Sequence, residues 1–269
     1  YNLLESYSDD GPEERSPILF LGEEGTGKSA TLANWLSKRN QGNKRSRGNE
    51  FIFWHAVGSS RQSMSVNSFL RRLMNALKEE FELQRNVTLD EDRLSWDLPL
   101  FLEQAAKKGR IIIIIDGLHR MVNENAEGGM NLTWLPLSFP QNVRLIMSSS
   151  APASFFALGS KDTNDDTPRK PPIITEVERR NWQILHIPTF DMLRARETIE
   201  SYVHLSVTND AEHLTKGPFL TALDDTGRPV DTPGLLLFEE HTAKILQHPC
   251  GTKPIFLRLL LRALRWTTS

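Results

Sequence analysis

One eight-residue segment near the start of the chain limits the possible fold more than any other feature. Residues 22–29 read Gly-Glu-Glu-Gly-Thr-Gly-Lys-Ser and fit the pattern G-x-x-x-x-G-K-[S/T]. The segment follows the apolar stretch Ile18–Leu21 and precedes a helical pattern that includes Leu32 and Trp35. A glycine-rich turn between a strand and a helix lets backbone N–H groups and the positive helix end converge on phosphate oxygens. The segment therefore predicts a phosphate-binding loop, called the P-loop below.

Separate roles are expected for individual residues of the P-loop. Lys28 is expected to reach the β- and γ-phosphates of a nucleotide, and the Ser29 hydroxyl is expected to coordinate Mg²⁺. The other predicted nucleotide-binding residues of the loop are Gly22, Gly25, Thr26, Gly27 and Ala30. The alternative is a glycine-rich turn without a nucleotide, and the position between a strand and a helix favours the phosphate-binding interpretation.

A second motif is the run of five isoleucines, Ile111–Ile115, which ends at Asp116. A strand without polar alternation is typical of the middle of a parallel sheet, where both faces are buried. Ligands of open α/β sheets bind at the carboxyl ends of the strands, so Asp116 is predicted to hold Mg²⁺ there and to act in catalysis with Lys28. The alternative is an ordinary strand that ends in an Asp-Gly turn.

Apolar segments alternate with helical patterns up to Pro188, which predicts a parallel sheet with crossover helices. The predicted strands are Ile18–Leu21, Phe51–Val57, Ile111–Ile115, Arg144–Ser148 and Gln183–Ile187. Predicted helices run from Phe69 to Phe81 and from about Asp97 to Gly109, with Pro99 in the first turn of the second helix.

The pattern changes after Pro188, where no strand signal follows. Asp191 is predicted to cap the N-terminus of a helix, and later helices are predicted at Leu235–Gln247 and Pro254–Trp266. We therefore expect two domains, a nucleotide-binding α/β domain at residues 1–188 and a helical subdomain at residues 189–269.

Composition argues against some classes of partner. The net charge of −2 over 269 residues gives no overall attraction to nucleic acid or to an anionic membrane. The longest purely apolar run, Ile111–Ile115, is far shorter than the roughly 20 residues that a membrane span needs. Cys250 is the single cysteine, which is typical of a reducing compartment, so we expect a cytoplasmic location. The chain begins with Tyr1 instead of Met, and we expect it to be part of a longer protein.

Two polar stretches are predicted to be exposed loops, Lys38–Asn49 and Gly159–Pro172. The first is rich in lysine and arginine. It could be a nuclear address or a nucleic-acid patch, but a solvated connection between a helix and a strand is the favoured interpretation.

The motifs together resemble the NACHT/STAND class of signal-transduction ATPases, especially its nephrocystin-like branch. The segments that carry the resemblance are residues 18–36, 51–58, 111–118, 134–148 and 248–260. They span nearly the whole chain, and the last two are more specific than the P-loop, which many families share.

The resemblance implies a three-layer P-loop NTPase fold with strand order 5-1-4-3-2, followed by a helical lid. It implies that ATP or ADP binds with Mg²⁺, with ATP favoured over GTP, and that Pro254 lies against the adenine. Pro254 could equally be the first residue of the last helix, and both can be true. The resemblance further implies sensor and effector domains outside this sequence, and it is compatible with a nucleotide-dependent oligomer.

The chain departs from this class at two places. Acidic residues often follow Asp-Gly-Leu in related proteins, where this chain has His119 and Arg120. The fourth strand often ends in Ser-Thr-Arg, where this chain has Ser148–Ser150. His119 is either a weak base or a polar residue without a catalytic role. Because an acid and an arginine contribute strongly to phosphoryl transfer, we expect a signalling switch with weak or conditional ATPase activity.

Other functions fit the same motifs less well. A degenerate nucleotide-binding scaffold, which binds proteins without turnover, is the main alternative. A small-molecule kinase would need an arginine-rich lid, and residues 189–220 contain only Arg194 and Arg196. An AAA+-like machine acting on nucleic acid gains no support from the net charge.

Overall fold

The fold is seen in a computed structural model that describes residues 2–9, 16–41, 50–122, 131–152, 155, 171–204 and 239–267. The chain divides into two compact units. The first unit comprises Tyr1–Glu24 and Lys28–Ile187, and the second comprises Gly25–Gly27 and Pro188–Ser269.

A five-stranded parallel sheet forms the centre of the first unit. Its strands are β1 (Ile18–Gly22), β2 (Glu50–Ala56), β3 (Arg110–Asp116), β4 (Val143–Ser150) and β5 (Gln183–His186). The order across the sheet is β2-β3-β4-β1-β5, which confirms the predicted order 5-1-4-3-2 read from the opposite edge. Because β4 lies between β1 and β3, the chain segments that follow all three strands emerge side by side at one edge.

Helices cover both faces of the sheet. In the first unit they are α1 (Asn2–Asp9), α2 (Lys28–Gln41), α3 (Val66–Glu80), α4 (Leu94–Ala106) and α5 (Pro172–Arg179), with short 3-10 helices at Gln62–Met64 and Leu118–Arg120. Successive strand residues point to opposite faces. Accordingly, Ile111, Ile113 and Ile115 share a buried cluster with α3 and α4. Ile112 and Ile114 share another with residues of α1 and α2. The sheet is therefore the middle of three layers, and its strand β3 is buried on both faces, as its run of isoleucines predicted.

The ends of α2, α4 and α5 differ from the sequence prediction. Helix α2 continues through Gln41, so the first part of the predicted loop Lys38–Asn49 is helical, and residues 42–49 lie outside the described part. Helix α4 begins at Leu94, which leaves Pro99 inside the helix and not in its first turn. Pro172 opens α5, whereas residues 159–170 of the second predicted loop lie outside the description.

An arginine of α2 explains why that helix continues. Arg39 is 2% exposed and pairs with Glu5 and Asp9 of α1 and with Glu50 of β2, at distances of 2.5–2.6 Å. A buried guanidinium needs such carboxylate partners, and its position on α2 places it beside them. The prediction that this arginine lies in an exposed loop is therefore wrong.

The second unit contains three helices in its described part, α6 (Met192–His204), α7 (Glu239–Gln247) and α8 (Pro254–Thr267). The Asp191 carboxylate accepts a hydrogen bond from the Arg194 backbone N–H at 2.7 Å, which confirms the predicted N-cap of α6. The predicted helix Leu235–Gln247 corresponds to α7, and its residues 235–238 lie outside the described part of the chain. The helices pack through a small apolar core of Ala195, Ile199, Ile245, Leu257 and Leu261. None of the described helices of the chain is both long enough and apolar enough to cross a membrane.

Candidate phosphate-binding site

The P-loop connects β1 to α2 through two glycines in the left-handed backbone region. The φ angles are 84° at Gly25 and 89° at Gly27, values that residues with a Cβ atom rarely adopt. A Cβ added at Gly27 would meet no heavy atom within 4 Å. Glycine is therefore required at Gly27 by the backbone bend and not by lack of space. The open space beside it matches a loop whose backbone can approach a ligand closely.

Lys28 is the first residue of α2 and turns back over the loop. Its side chain is 7% exposed, and Nζ donates hydrogen bonds to the Gly22 carbonyl at 2.9 Å and to the Glu23 carbonyl at 2.7 Å. Burial lowers the pKa of Lys28, and the negative charge of Asp116 opposes this shift. An ammonium held at the mouth of a glycine loop, at the start of a helix whose first turn carries no acid, suits an anionic ligand.

Asp116 ends β3 and is fixed by the neighbouring strand. It is 9% exposed, and Ser148 Oγ of β4 donates a hydrogen bond to its Oδ1 at 2.5 Å. The same hydroxyl accepts a hydrogen bond from the Gly117 backbone N–H at 2.9 Å. Gly117 has a φ of 87°, so the chain turns sharply after the strand and leaves the carboxylate at the sheet edge. A carboxylate held in this way, together with the Ser29 hydroxyl, offers the oxygen ligands that Mg²⁺ prefers.

His119 lies in the short 3-10 helix that follows this turn. Its Nδ1 accepts a hydrogen bond from the Ser150 backbone N–H at 3.1 Å, and its Nε2 lies 3.9 Å from Glu24 Oε1 of the P-loop. Arg120 approaches the same Glu24 oxygen at 3.7 Å. Burial lowers the pKa of His119, and the nearby charge of Arg120 lowers it further. The imidazole is therefore neutral near pH 7.

The predicted site residues lie at three places. Gly22 ends β1, Gly25, Thr26 and Gly27 form the loop, Lys28, Ser29 and Ala30 open α2, Asp116 ends β3, and Pro254 is the first residue of α8. The structure brings the loop, Lys28 and Asp116 to one edge of the sheet, close enough for the charges of Lys28 and Asp116 to interact. The joint coordination of Mg²⁺ by Ser29 and Asp116, and the contact of Pro254 with adenine, stay predictions.

Ser148 is a site residue that the sequence analysis missed. It was considered only as a departure from Ser-Thr-Arg, although its hydroxyl fixes Asp116. Part of the signal was available, because Ser148 ends a strand that was predicted beside β3, but only the register shows that its hydroxyl faces Asp116.

The chain is similar to parts of several larger proteins. It is 34% identical to mouse nephrocystin-3 over 140 residues, which cover 51% of this chain and 10% of nephrocystin-3. It is 25% identical to a TPR repeat-containing protein of Dictyostelium discoideum over 170 residues, which cover 49% of this chain and 10% of that protein. For mouse telomerase protein component 1, the identity is 27% over 140 residues, or 49% of this chain and 5% of the relative. The chain thus spans 10% or less of the length of these relatives. No known family profile matches the chain.

Two solved structures resemble the fold over nearly the whole chain. The Walker-type ATPase PABY2304 of Pyrococcus abyssi matches with a TM-score of 0.51 at 13% identity, covering 100% of this chain and 67% of that chain. The ORC1 protein of Aeropyrum pernix, solved in complex with DNA, matches with a TM-score of 0.50 at 16% identity, covering 99% and 58%. At such identities the likeness concerns the fold alone. The parallel sheet, its strand order and these neighbours together show that the chain has the P-loop NTPase fold.

Proposed function

We propose that this chain is a nucleotide-binding switch that holds ATP or ADP with Mg²⁺ in its P-loop. The observation that carries the proposal is the convergence of two buried, oppositely charged groups beside a glycine loop. Lys28 donates hydrogen bonds to two carbonyls of the loop, and Ser148 holds Asp116 at the end of β3. A buried ammonium and a buried carboxylate at this position match the charges of a nucleotide phosphate and of the Mg²⁺ that accompanies it.

Each residue has a role in this proposal. The glycines Gly25 and Gly27 let the backbone N–H groups reach the phosphates, and Lys28 binds the terminal phosphates. Ser29 and Asp116 would hold Mg²⁺, which neutralises charge on the β- and γ-phosphate oxygens when it is bound. Gly22, Thr26 and Ala30 complete the loop around the phosphates, and Pro254 would contact the adenine.

Slow hydrolysis is part of the same proposal. The residues directly after Asp116 are Gly117, the buried Leu118, His119 and Arg120, so this turn supplies no carboxylate to activate a water. The Nδ1 lone pair of His119 is already used by the Ser150 N–H. We therefore expect at most a weak or conditional Mg²⁺-dependent ATPase, which would keep the bound nucleotide for a long time.

The resemblance to NACHT/STAND proteins supports a signalling role. The 34% identity to mouse nephrocystin-3 over about half of this chain agrees with it. In this role the nucleotide state would control the position of the helical unit as a lid, and with it assembly with other protein domains or copies in the cytoplasm. The net charge of −2 gives no overall attraction to nucleic acid.

A degenerate scaffold is the second candidate, because His119, Arg120 and Ser148–Ser150 stand where related proteins often carry an acid and an arginine. Distances between labels on the two units, measured with ADP and with a non-hydrolysable ATP analogue, separate the two functions. A switch changes these distances with the nucleotide, and a scaffold does not.

The test of nucleotide binding is calorimetric titration of the whole chain with Mg-ATP, ADP and Mg-GTP. Lys28→Ala should abolish triphosphate binding, because the ammonium is the charged group of the loop nearest the proposed phosphates. Lys78→Ala is a matched control, since Lys78 lies on α3 and bonds Asn86 in an exposed position. Unchanged affinity in Lys28→Ala would remove the P-loop assignment.

A further inference from the structure

The histidine after the Asp-Gly turn provides a ligand contact that the proposed site does not yet use. We propose that His119 donates a hydrogen bond from Nε2–H to an oxygen of the terminal phosphate of a bound nucleoside triphosphate. His119 would thereby distinguish triphosphate from diphosphate. This inference rests on the proposed nucleotide site and names a further specificity-determining residue in it.

The proton position on His119 follows from a single contact. The Ser150 backbone N–H can only donate, and it points at Nδ1 at 3.1 Å. A neutral imidazole has one N–H and one acceptor nitrogen, so its proton must be on Nε2. A protonated ring would place two N–H groups against each other. Burial, which lowers the pKa of His119, favours the same neutral form.

The Nε2–H group of His119 is a donor without an acceptor in the described part of the chain. Nε2 is buried and makes no hydrogen bond there, since the nearest carboxylate oxygen, Glu24 Oε1, is 3.9 Å away and beyond hydrogen-bond range. Glu24 is itself 72% exposed and so is well solvated without His119. A buried donor left unpaired is unfavourable, and a water, an ion or a ligand that binds there accounts for it.

The charges around His119 indicate what this partner is. Four charged groups act on the imidazole, the cations Arg120 and Lys28 and the anions Glu24 and Asp116. Lys28 is the proposed ligand of the terminal phosphates, and Asp116 is the proposed holder of Mg²⁺. A neutral donor that shares their surroundings would meet a phosphate oxygen at the end of the nucleotide chain.

The same geometry argues against His119 as a general base. A base needs a free lone pair, and the only lone pair of the neutral ring accepts the Ser150 N–H. His119 is therefore a donor that joins the nucleotide site to the end of β4. A terminal phosphate bound at Nε2 would restrain the ring, and through Nδ1 the backbone at Ser150.

The test compares the affinities of the whole chain for a non-hydrolysable Mg-ATP analogue and for ADP by calorimetry at pH 7.5. His119→Leu removes the donor and should weaken the analogue by roughly ten- to hundredfold, with ADP changed less than about twofold. His119→Gln keeps a terminal N–H donor and should retain most of the preference. Lys78→Ala, on α3 and outside the proposed site, is the control and should leave the preference for the analogue intact.

Several results would overturn the inference. Equal weakening of both nucleotides in His119→Leu, or no weakening, contradicts it while the proposed function stands. A wild-type chain that binds neither nucleotide contradicts the proposed function as well. The tautomer can be read by nitrogen NMR of the wild-type imidazole, which requires no variant to fold, and a proton on Nδ1 would also contradict the inference.

Discussion

Ser148 Oγ on β4 donates a hydrogen bond to Asp116 Oδ1 at the end of β3, although the two residues are 32 positions apart in the chain. The parallel pairing of β3 with β4 creates this contact, since Ile115 lies opposite Met147 in the register. The carboxylate is thus oriented by the protein itself. A preformed ligand position reduces the ordering that a cation would otherwise have to impose.

Replacement of Ser148 by alanine should destabilise the fold around Asp116. The variant leaves the Gly117 N–H and the Asp116 carboxylate without their shared hydroxyl, which we expect to cost about 1–3 kcal/mol of unfolding free energy. Denaturant unfolding measures this loss. Ser149→Ala is the control, because Ser149 is equally buried but faces the other side of the same strand. An equal loss in both variants would speak against a special role for the Ser148 hydroxyl.

Asp116→Asn should change how nucleotide binding depends on Mg²⁺ more than it changes binding itself. Asparagine keeps an oxygen that can accept from Ser148, but it lacks the charge that a divalent cation needs. We expect chelation of Mg²⁺ to weaken ATP binding in the wild type and to have little effect in the variant, as measured by calorimetry. Asp97→Asn, which alters another buried aspartate paired with Arg85, should behave like the wild type in this assay. A variant as sensitive to chelation as the wild type would contradict the metal role.

The buried His55 should cause the fold to lose stability in mild acid. The residue is 1% exposed, its Nε2 bonds the Ser63 carbonyl at 2.8 Å, and Arg72 donates to its Nδ1 at 2.9 Å. Burial lowers the pKa of His55, and the positive charge of Arg72 lowers it further. As pH falls below about 6.5, the unfolded chain binds a proton that the folded chain does not bind, so folding weakens.

The measurable slope for one such group is at most about 1.4 kcal/mol per pH unit in unfolding free energy. His55→Gln should remove this contribution between pH 6.5 and the lower folded pKa. The pKa of His119 is also lowered, so the His55→Gln variant keeps a smaller slope that comes from His119. Denaturant unfolding of the wild type and of His55→Gln from pH 7.5 to pH 5.5 measures the two slopes. An equal dependence of unfolding free energy on pH in both proteins would contradict the assignment to His55.

Arg39→Met should be among the most damaging substitutions outside the site. It leaves Glu50, whose side chain is 9% exposed, as a buried charge without its partner, which we expect to cost about 3 kcal/mol or more. Glu5 and Asp9 are 26% and 43% exposed and should contribute less. In the double variant Arg39→Met/Glu50→Gln, part of the loss should be recovered in denaturant unfolding. A double variant as unstable as the sum of both single variants would contradict this coupling.

The strands could be predicted to within two residues at each end, because each has an apolar or β-branched centre, and β1, β3 and β4 are buried almost throughout. Helix α1 could not, since it is short and its side chains contact residues far along the chain, such as Arg39 and Leu145. The Tyr7 carbonyl accepts from Arg144, a residue 137 positions away. Tertiary contacts of this kind leave no local pattern in a sequence.

In the candidate site, too, the features encoded by a short stretch of sequence could be predicted, and those that depend on tertiary contacts could not. The positions of the loop and of Asp116 at the ends of their strands were predictable, because each is recognised from one short stretch of sequence, residues 22–29 and residues 111–116. The tautomer of His119 and the role of Ser148 depend on the register between β1, β3 and β4, which joins Ser150 and Ser148 to residues about thirty positions earlier. Pro99 and Pro172 were misjudged because proline was assigned to a first turn or a loop, whereas one lies within α4 and the other opens α5.

The most direct measurement of nucleotide binding is to purify the chain without added nucleotide, denature it, and identify any released nucleotide by chromatography. The proposed switch predicts ADP or ATP in about a one-to-one ratio with the protein, because slow hydrolysis and tight binding would retain the nucleotide. An empty site, together with no binding on later titration with Mg-ATP, would contradict the account and leave the P-loop as part of a protein-binding scaffold.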